Sequence, residues 1–519
     1  MKKLTLLFIV ILLTELQFFS QSNATVNQLV IVANHPGVTI SKDIYGHFSE
    51  HLGTCIYGGL WVGKNSKIPN TDGIRNDVLA ALREIKVPNL RWPGGCFADT
   101  YHWKDGIGPQ QHRASIVNTH WGGVTEDNSF GTHEFMRLCE LLDCDAYING
   151  NVGSGSVQEM AEWIEYLTSD AESPMTKLRK QNGREDPWKV KYFAIGNENW
   201  GCGGNMTADY YSDVMRRYST YLNNYASNRL YRVACGPSDY NYEWTETLMK
   251  DRNTQGRFQG LSIHYYSVPG GWDNKNSATE FGEAEWFETM RLNQQMDVII
   301  KGHKAIMDRY DPQKTKGIVV DEWGNWFQVE PGTNPGFLYQ QNTLRDAVTA
   351  AIHLNTFNQN ADRVKVANLA QMVNVLQSVI LTKDDKMVLT PTYHVFRMFR
   401  VHQEAQLLNT DLRCEDYTLD QKQIPSISAS ASMDKTGKVH VSIANLNPNK
   451  AITIKCPIVG EIYRNITGEI ITATEMNAFN SFENPEVVKP AAFKSFNYME
   501  GILTVNMPAK SVVVLELAK

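Results

Sequence analysis

Between residues 44 and 371, short apolar runs alternate with longer stretches of helical periodicity, and this alternation constrains the fold more than any other feature of the chain. A strand repeatedly followed by a helix makes a parallel sheet, because the helix carries the chain back to the edge it started from. Eight runs take part, at residues 44–52, 87–92, 145–150, 192–195, 231–236, 261–266, 318–322 and 364–371. The spacing predicts helices over 72–86, 133–142, 157–168, 207–227, 285–310 and 344–360; in the first, Ile74, Val78, Leu79, Leu82 and Ile85 form the apolar stripe and Asp72 the cap. Eight such units, with no G-x-G-x-x-G at any turn, predict an α/β fold of the (β/α)8 TIM-barrel type rather than an open doubly wound sheet.

Beyond residue 394 the texture changes to short alternating strands, at 439–446, 451–456, 468–474, 501–507 and 511–517, which predicts a C-terminal all-β sandwich domain. Residues 26–40 alternate in the same way through Leu29, Ile31 and Ala33, too far from the barrel pattern to begin it, and are expected to join the sandwich. Lys2 and Lys3 followed by an apolar run over 4–13 and Ser22-x-Ala24 read as a signal peptide. The expected organisation is a signal at 1–24, a strand segment at 25–43, a barrel at 44–393 and a sandwich at 394–519. Export to the periplasm or the medium follows, with no membrane insertion once the signal is removed.

The barrel pattern decides where to look for chemistry, since such folds keep it at the carboxyl ends of the strands. Glu198 closes the fourth run in YFAIGNENW, and Glu322 closes the seventh in GIVVDEWGNW. Strand ends of one barrel face one bowl, so the 124 positions between them are no obstacle. Two carboxylates, each beside tryptophan and asparagine, point to glycosidic-bond cleavage: one protonates the leaving oxygen while the other attacks. A second carboxylate nearby would keep Glu198 protonated and leave Glu322 ionised. On the sixth run, period-two alternation puts His264 and Tyr266 on one face, from which both could hydrogen-bond the nucleophile. The excursion over 97–130, rich in Trp, His, Gly and Asn, is long enough to suggest a functional loop.

A formal charge of −6 and a pI near 6.1 argue against a nucleic-acid partner. None of the eight cysteines has zinc-site spacing, and no metal or cofactor is expected. Cys96 and Cys202 each lie in a glycine-rich turn after a strand, and either pair at the mouth of the site or remain two unlinked thiols.

GNENW and DEWGNW, together with GHFSEHLG, LRWPGGCF, DGIGP and NLAQMVN, resemble glycoside hydrolase family 51, the α-L-arabinofuranosidases, from about residue 27 to the end of the chain. The resemblance implies a retaining double displacement with Glu322 as nucleophile and Glu198 as acid/base, acting on an arabinose-containing oligosaccharide or polysaccharide. It also implies that Glu50 and Gln371 bind sugar hydroxyls, that Asn197 holds the 2-hydroxyl, that Tyr266 contacts the nucleophile, and that the protein is a homo-oligomer. Many members resemble G-G-N where this chain has Gly94-Gly95-Cys96, so Cys96 lines the site without the hydrogen bond an amide would supply. The GCGGNM turn after Glu198 is also longer than the usual form. Two other readings compete: an endo-β-glucanase or β-xylosidase with an open, tryptophan-lined cleft, and a non-catalytic glycan-binding barrel. Retention of both glutamates argues against the second.

Overall fold

The computed structural model describes residues 27–519, so the segment read as a signal peptide lies outside the described residues. Eight strands close into a barrel: in chain order Gly46–Phe48, Asn89–Trp92, Asp145–Gly150, Tyr192–Ile195, Tyr231–Ala234, Gly260–Ser267, Gly317–Asn325 and Val364–Leu369. Every neighbouring pair is parallel, and the eighth strand closes on the first through Asn368–Gly46 and Leu369–His47. Tyr147, Tyr192, Ala194, Val233, Val319 and Val366 fill the interior. The barrel is therefore a packed core rather than a pore.

Local chemistry shifts several element boundaries from those the sequence spacing predicts. The first strand shrinks to three residues because Ser41 caps a 3-10 turn over Lys42–Tyr45, its hydroxyl accepting from the Asp43 N–H. The first helix runs only over Asn76–Glu84, since Asp72 adopts φ 56° in a tight hairpin joining Asn70–Thr71 to Ile74–Arg75 and cannot cap it. The stretch over 285–310 is two helices, Glu283–Asn293 and Gln295–Tyr310. Helices at Pro174–Gln181 and Pro391–Phe399 escaped periodicity, although Ser173-Pro174 and Thr390-Pro391 each place a hydroxyl cap before proline at the first helical position.

The second layer is a β-sandwich. One sheet orders Asn409–Arg413, Gln28–Val32, Ile452–Val459, Ile502–Met507 and Phe496–Met499; the other orders Gln406–Leu407, Ile427–Met433, Val439–Asn445, Ser511–Ala518, Asn465–Ile471 and Ala491–Ala492. Leu29 and Ile31 pack with Ile443, Ile454, Leu503, Val513 and Leu515 between them. Gln28–Val32 runs antiparallel to Asn409–Arg413 and parallel to Ile452–Val459.

The helix Leu344–Gln359 joins the two layers and is buried on nearly every side. Its outward polar groups are satisfied across the junction: Asn355 and Asn358 donate to the hydroxyls of Ser428 and Ser430, and Gln359 donates to the Ala429 carbonyl. No described helix is long and apolar enough to cross a membrane.

Candidate active site

The two glutamates reach the upper rim by different backbone devices. The fourth strand stops at Gly196, and Glu198 itself adopts φ 43°, a left-handed conformation that costs a non-glycine residue about 1–3 kcal/mol. The following turn holds it there, with Gly201 and Gly203 N–H donating to the Glu198 carbonyl at 2.7 and 3.1 Å. From below, Asp99 accepts from the N–H groups of Asn197, Val152 and Gly153 at 2.9, 2.7 and 2.7 Å. On the seventh strand the pairing register slips between Val320 and Trp323. That irregularity lets consecutive acids both point inward, Asp321 into the barrel and Glu322 toward the rim.

Glu322 is held at both oxygens: Arg91 Nη1 donates to Oε1 at 2.9 Å and Tyr266 Oη donates to Oε2 at 2.7 Å. His264 Nδ1 lies 2.8 Å from Glu198 Oε1 and 3.6 Å from Glu322 Oε2, while its Nε2 lies 3.2 Å from Asp321 Oδ1. A carboxylate oxygen of Glu198 comes within 4.8 Å of one of Glu322. Glu50 Oε1 accepts from the Trp121 indole and the Phe97 N–H, and its Oε2 from Gln371 Nε2 at 2.6 Å. Arg91 Nη2 donates to Asn197 Oδ1 at 2.5 Å. Beside these carboxyls, the buried amide atoms Asn197 Nδ2 and Gln371 Oε1 keep no partner among the described residues. Gly95 is required against this cluster, since a Cβ there would stand 2.8 Å from Glu322 Oε1.

Burial raises Glu198 above the ordinary carboxyl range, and the neighbouring Glu322 charge raises it further, against the pull of His264 and Arg91. The same two causes bring Glu50 up to about 7, with the bonds from Trp121, Phe97 and Gln371 opposing them. For Asp321 burial acts upward, but Arg91, His264 and Ser262 outweigh it and hold the acid well below the usual range. Burial alone would lower His264; Glu322, Asp321 and Glu198 reverse this and lift it to about 10. His264 is therefore an imidazolium with both ring N–H groups committed to carboxyl oxygens.

All eight residues singled out in the sequence, Glu50, Cys96, Asn197, Glu198, His264, Tyr266, Glu322 and Gln371, belong to this rim. His264 and Tyr266 share a face as alternation requires, but they divide the work: Tyr266 bonds Glu322, while the shorter contact of His264 is with Glu198. Cys96 and Cys202 are joined in a disulfide. Trp323, the indole adjoining Glu322, is fully buried against Phe357 and Phe396 rather than facing the site. The exposed walls come instead from Trp121, Trp200, Trp272 and Trp326, around a cavity of about 260 Å³. Trp121 arrives from the long excursion, at the tip of a hairpin joining Ile116–Val117 to Thr125–Glu126.

Sequence reasoning missed Arg91, Asp321 and Asp99. A charged side chain at Arg91, between Leu90 and Trp92 in a buried strand, was the available signal.

Among the described residues, two sets of donor atoms lie at metal-ligand spacing, Cys96–Glu198–Cys202 and Glu198–His264–Glu322. The sulfurs of the first are bonded to each other, and in the second the imidazolium already supplies the positive charge. A slightly larger cleft of about 310 Å³, between Met136 and Lys189, lies by the amino ends of the strands, away from where barrels carry chemistry.

Comparisons with known proteins agree with this fold. Residues 81–231 match the family model described as Alpha-L-arabinofuranosidase 1 domain, and residues 321–511 match Alpha-L-arabinofuranosidase C-terminal domain. A Bacteroides ovatus protein named intracellular exo-alpha-L-arabinofuranosidase is 51% identical over 519 residues, covering 100% of both chains. The crystal structure of a GH51 arabinofuranosidase from Xanthomonas axonopodis pv. citri superposes with a TM-score of 0.94 at 48% identity, covering 95% of this chain and 100% of that one. An alpha-L-arabinofuranosidase from Thermotoga maritima, solved as an arabinose complex, gives 0.83 at 29% identity over 94% and 99% of the two chains.

The Bacteroides relative overturns the expectation of export to the periplasm or the medium. It matches this chain from end to end, including the apolar leader-like stretch, and it is named intracellular. A short apolar run behind two lysines is thus a weak basis for export, because hydropathy alone does not specify recognition by the secretion machinery. With such identity sustained over the whole length and a superposition spanning nearly all of it, the chain belongs to glycoside hydrolase family 51, the α-L-arabinofuranosidases.

Proposed function

We propose that this retaining, exo-acting α-L-arabinofuranosidase uses Glu322 as its nucleophile and Glu198 as its acid/base, removing terminal arabinofuranose from arabinose-containing oligosaccharides or polysaccharides. The observation that carries the assignment is the asymmetric treatment of two close carboxyls. Glu322 has a charged donor on one oxygen and a phenol on the other, which suits an anion, while burial and the Glu322 charge favour the protonated form of Glu198. Their separation, within 4.8 Å at the nearest oxygens, fits attack by the carboxylate itself and leaves no room for the intervening water of an inverting enzyme.

Glu322 attacks the anomeric carbon while Glu198 protonates the departing oxygen. Once Glu322 is esterified its charge is gone and the upward push on Glu198 disappears. Glu198 then takes the proton from the water that releases arabinose. Asn197 Nδ2 and Gln371 Oε1, the donor and acceptor left unpaired, are placed to meet sugar hydroxyls beside Glu50. The small cavity above a packed barrel suits one sugar ring rather than a polysaccharide threading through, which favours terminal removal over the endo-acting alternative.

The test is hydrolysis of 4-nitrophenyl and methyl α-L-arabinofuranosides by Glu198→Ala. Loss of roughly 10²–10⁴-fold on the methyl glycoside, with a far smaller loss of kcat/KM on the nitrophenyl one and recovery of turnover by azide, is expected. Equal losses on both would reject Glu198 as the acid.

A further inference from the structure

The acid/base is gripped by one oxygen only. His264 engages Glu198 Oε1, whereas Oε2 faces the Cys96–Cys202 disulfide, 3.5 Å from Cys202 Sγ and 3.9 Å from Cys96 Sγ. A disulfide sulfur carries no hydrogen, so neither contact can stabilise the carboxylate. Because the imidazolium donates to Oε1, the transferable proton belongs on Oε2, the oxygen beside the sulfurs. The same bond ties two structural turns together. Cys202 sits in the turn whose N–H groups hold Glu198 at its left-handed φ, and Cys96 follows Gly94 and Gly95, which pack on Glu50 and Glu322.

We propose that the Cys96–Cys202 disulfide is a positioning group for Glu198, fixing its turn and keeping hydrogen-bond donors away from Oε2, so that reducing the bond selectively impairs hydrolysis of substrates with poor leaving groups. The proposal rests on the assignment of Glu198 as acid/base. Reduction by a dithiol breaks the protein S–S bond and forms that of the reagent, with two electrons and two protons passing to Cys96 and Cys202. Each new S–H can donate to Oε2, which favours the ionised carboxyl and depletes the acid. The other charged groups facing Glu198 are Glu322 and Asp321 on the seventh strand, His264 on the sixth, Arg91 on the second and Glu50 after the first. None of them is altered by reduction.

The experiment compares oxidised enzyme, dithiol-reduced enzyme and the double variant Cys96→Ala/Cys202→Ala on the methyl and nitrophenyl glycosides across pH, with circular dichroism as a check on folding. Thiol titration of the denatured protein should rise from six groups to eight on reduction. Reduced enzyme should lose about tenfold in kcat/KM on the methyl glycoside and less than about twofold on the nitrophenyl one. The basic limb of its methyl-glycoside profile should move to lower pH. The double variant, which lacks both bond and donors, should show the selective loss without the shift of the limb.

Equal loss on both substrates, or no loss with eight thiols counted, would overturn the proposal. So would unfolding of both reduced enzyme and double variant, which would make the bond a stability element alone. Glu198→Ala in the same assay separates the two ideas. If it discriminates between leaving groups and reduced enzyme does not, the disulfide proposal falls while the acid/base assignment stands.

Discussion

The two ends of the barrel both bury charge, yet they bury it in opposite ways. At the amino ends of the strands Asp43, 3% exposed, accepts from Lys191 Nζ at 2.7 Å and Tyr192 Oη at 2.6 Å, with Asn89 Nδ2 at 3.2 Å. Lys191 also meets Asp145 at 2.8 Å. Here each Asp43 oxygen has its donors, and of this network only Asp145 reaches the neighbouring cleft, so the network is a plug. At the carboxyl ends four carboxyls, Glu50, Glu198, Asp321 and Glu322, share two cations, Arg91 and His264, and three of the four line an open cavity. Burial of charge does not by itself mark a site. An excess of carboxyl groups over cations beside space for a ligand does, because it shifts proton affinities and leaves groups to be satisfied by substrate.

The contrast breaks most sharply with Glu322→Ala, expected to lower kcat by roughly 10⁴-fold or more while leaving thermal stability unchanged or slightly raised, since one member of a like-charged group is removed. A parallel loss of stability would show that the upper cluster is also a plug. At the other end, Asp43→Ala should cost about 3 kcal/mol in denaturant unfolding with kcat/KM unchanged, the low end for a buried pair because Lys191 is 40% exposed. A large change in kcat/KM would tie the two ends together.

Tyr266→Phe removes the donor on Glu322 Oε2 and should reduce kcat about 10²-fold with little change in KM, read from steady-state kinetics on the nitrophenyl glycoside. The smallest effect concerns pH. Folded Glu50 keeps its proton up to about 7, whereas the unfolded chain releases it near its ordinary 4.5. The corresponding stabilisation is complete below the lower value and lost as pH rises through the higher. Glu50→Gln cannot ionise, so its stability relative to wild type should grow by about 2–3 kcal/mol from pH 5 to pH 8. A constant difference across that range would mean that Glu50 stays charged.

Glu198 and Glu322 were legible because a strand that ends in acid is unusual and the barrel pattern says where strand ends meet. Arg91 was not, since its role depends on contacts with Asn197 and Glu322, 106 and 231 positions away. Trp323 misled in the opposite direction: next to Glu322 in sequence, it points into the core, and Trp121 from the long excursion faces the cavity instead. Short strands in the second layer, such as Asn409–Arg413 and Ile427–Met433, also escaped notice, being rich in Asn, Thr, Ser and Ala rather than in β-branched apolar residues.

Local periodicity was enough to specify the alternation of strand and helix, the presence of an all-β second layer, and acids toward the carboxyl ends of the fourth and seventh strands, although the helix Pro391–Phe399 runs past the change of texture expected at residue 394. Those properties depend on neighbours a few positions apart, and the chain states them directly. Which oxygen of Glu198 meets His264 and which meets the disulfide, why Asp321 is held far below the ordinary carboxyl range while Glu198 is raised above it, and how Glu50 comes to hold a proton near neutrality were decided only by closure of the barrel. Proton affinity and hydrogen-bond direction are set by fields and donors a few ångströms away in space, and closure is what turns residues hundreds of positions apart into those neighbours.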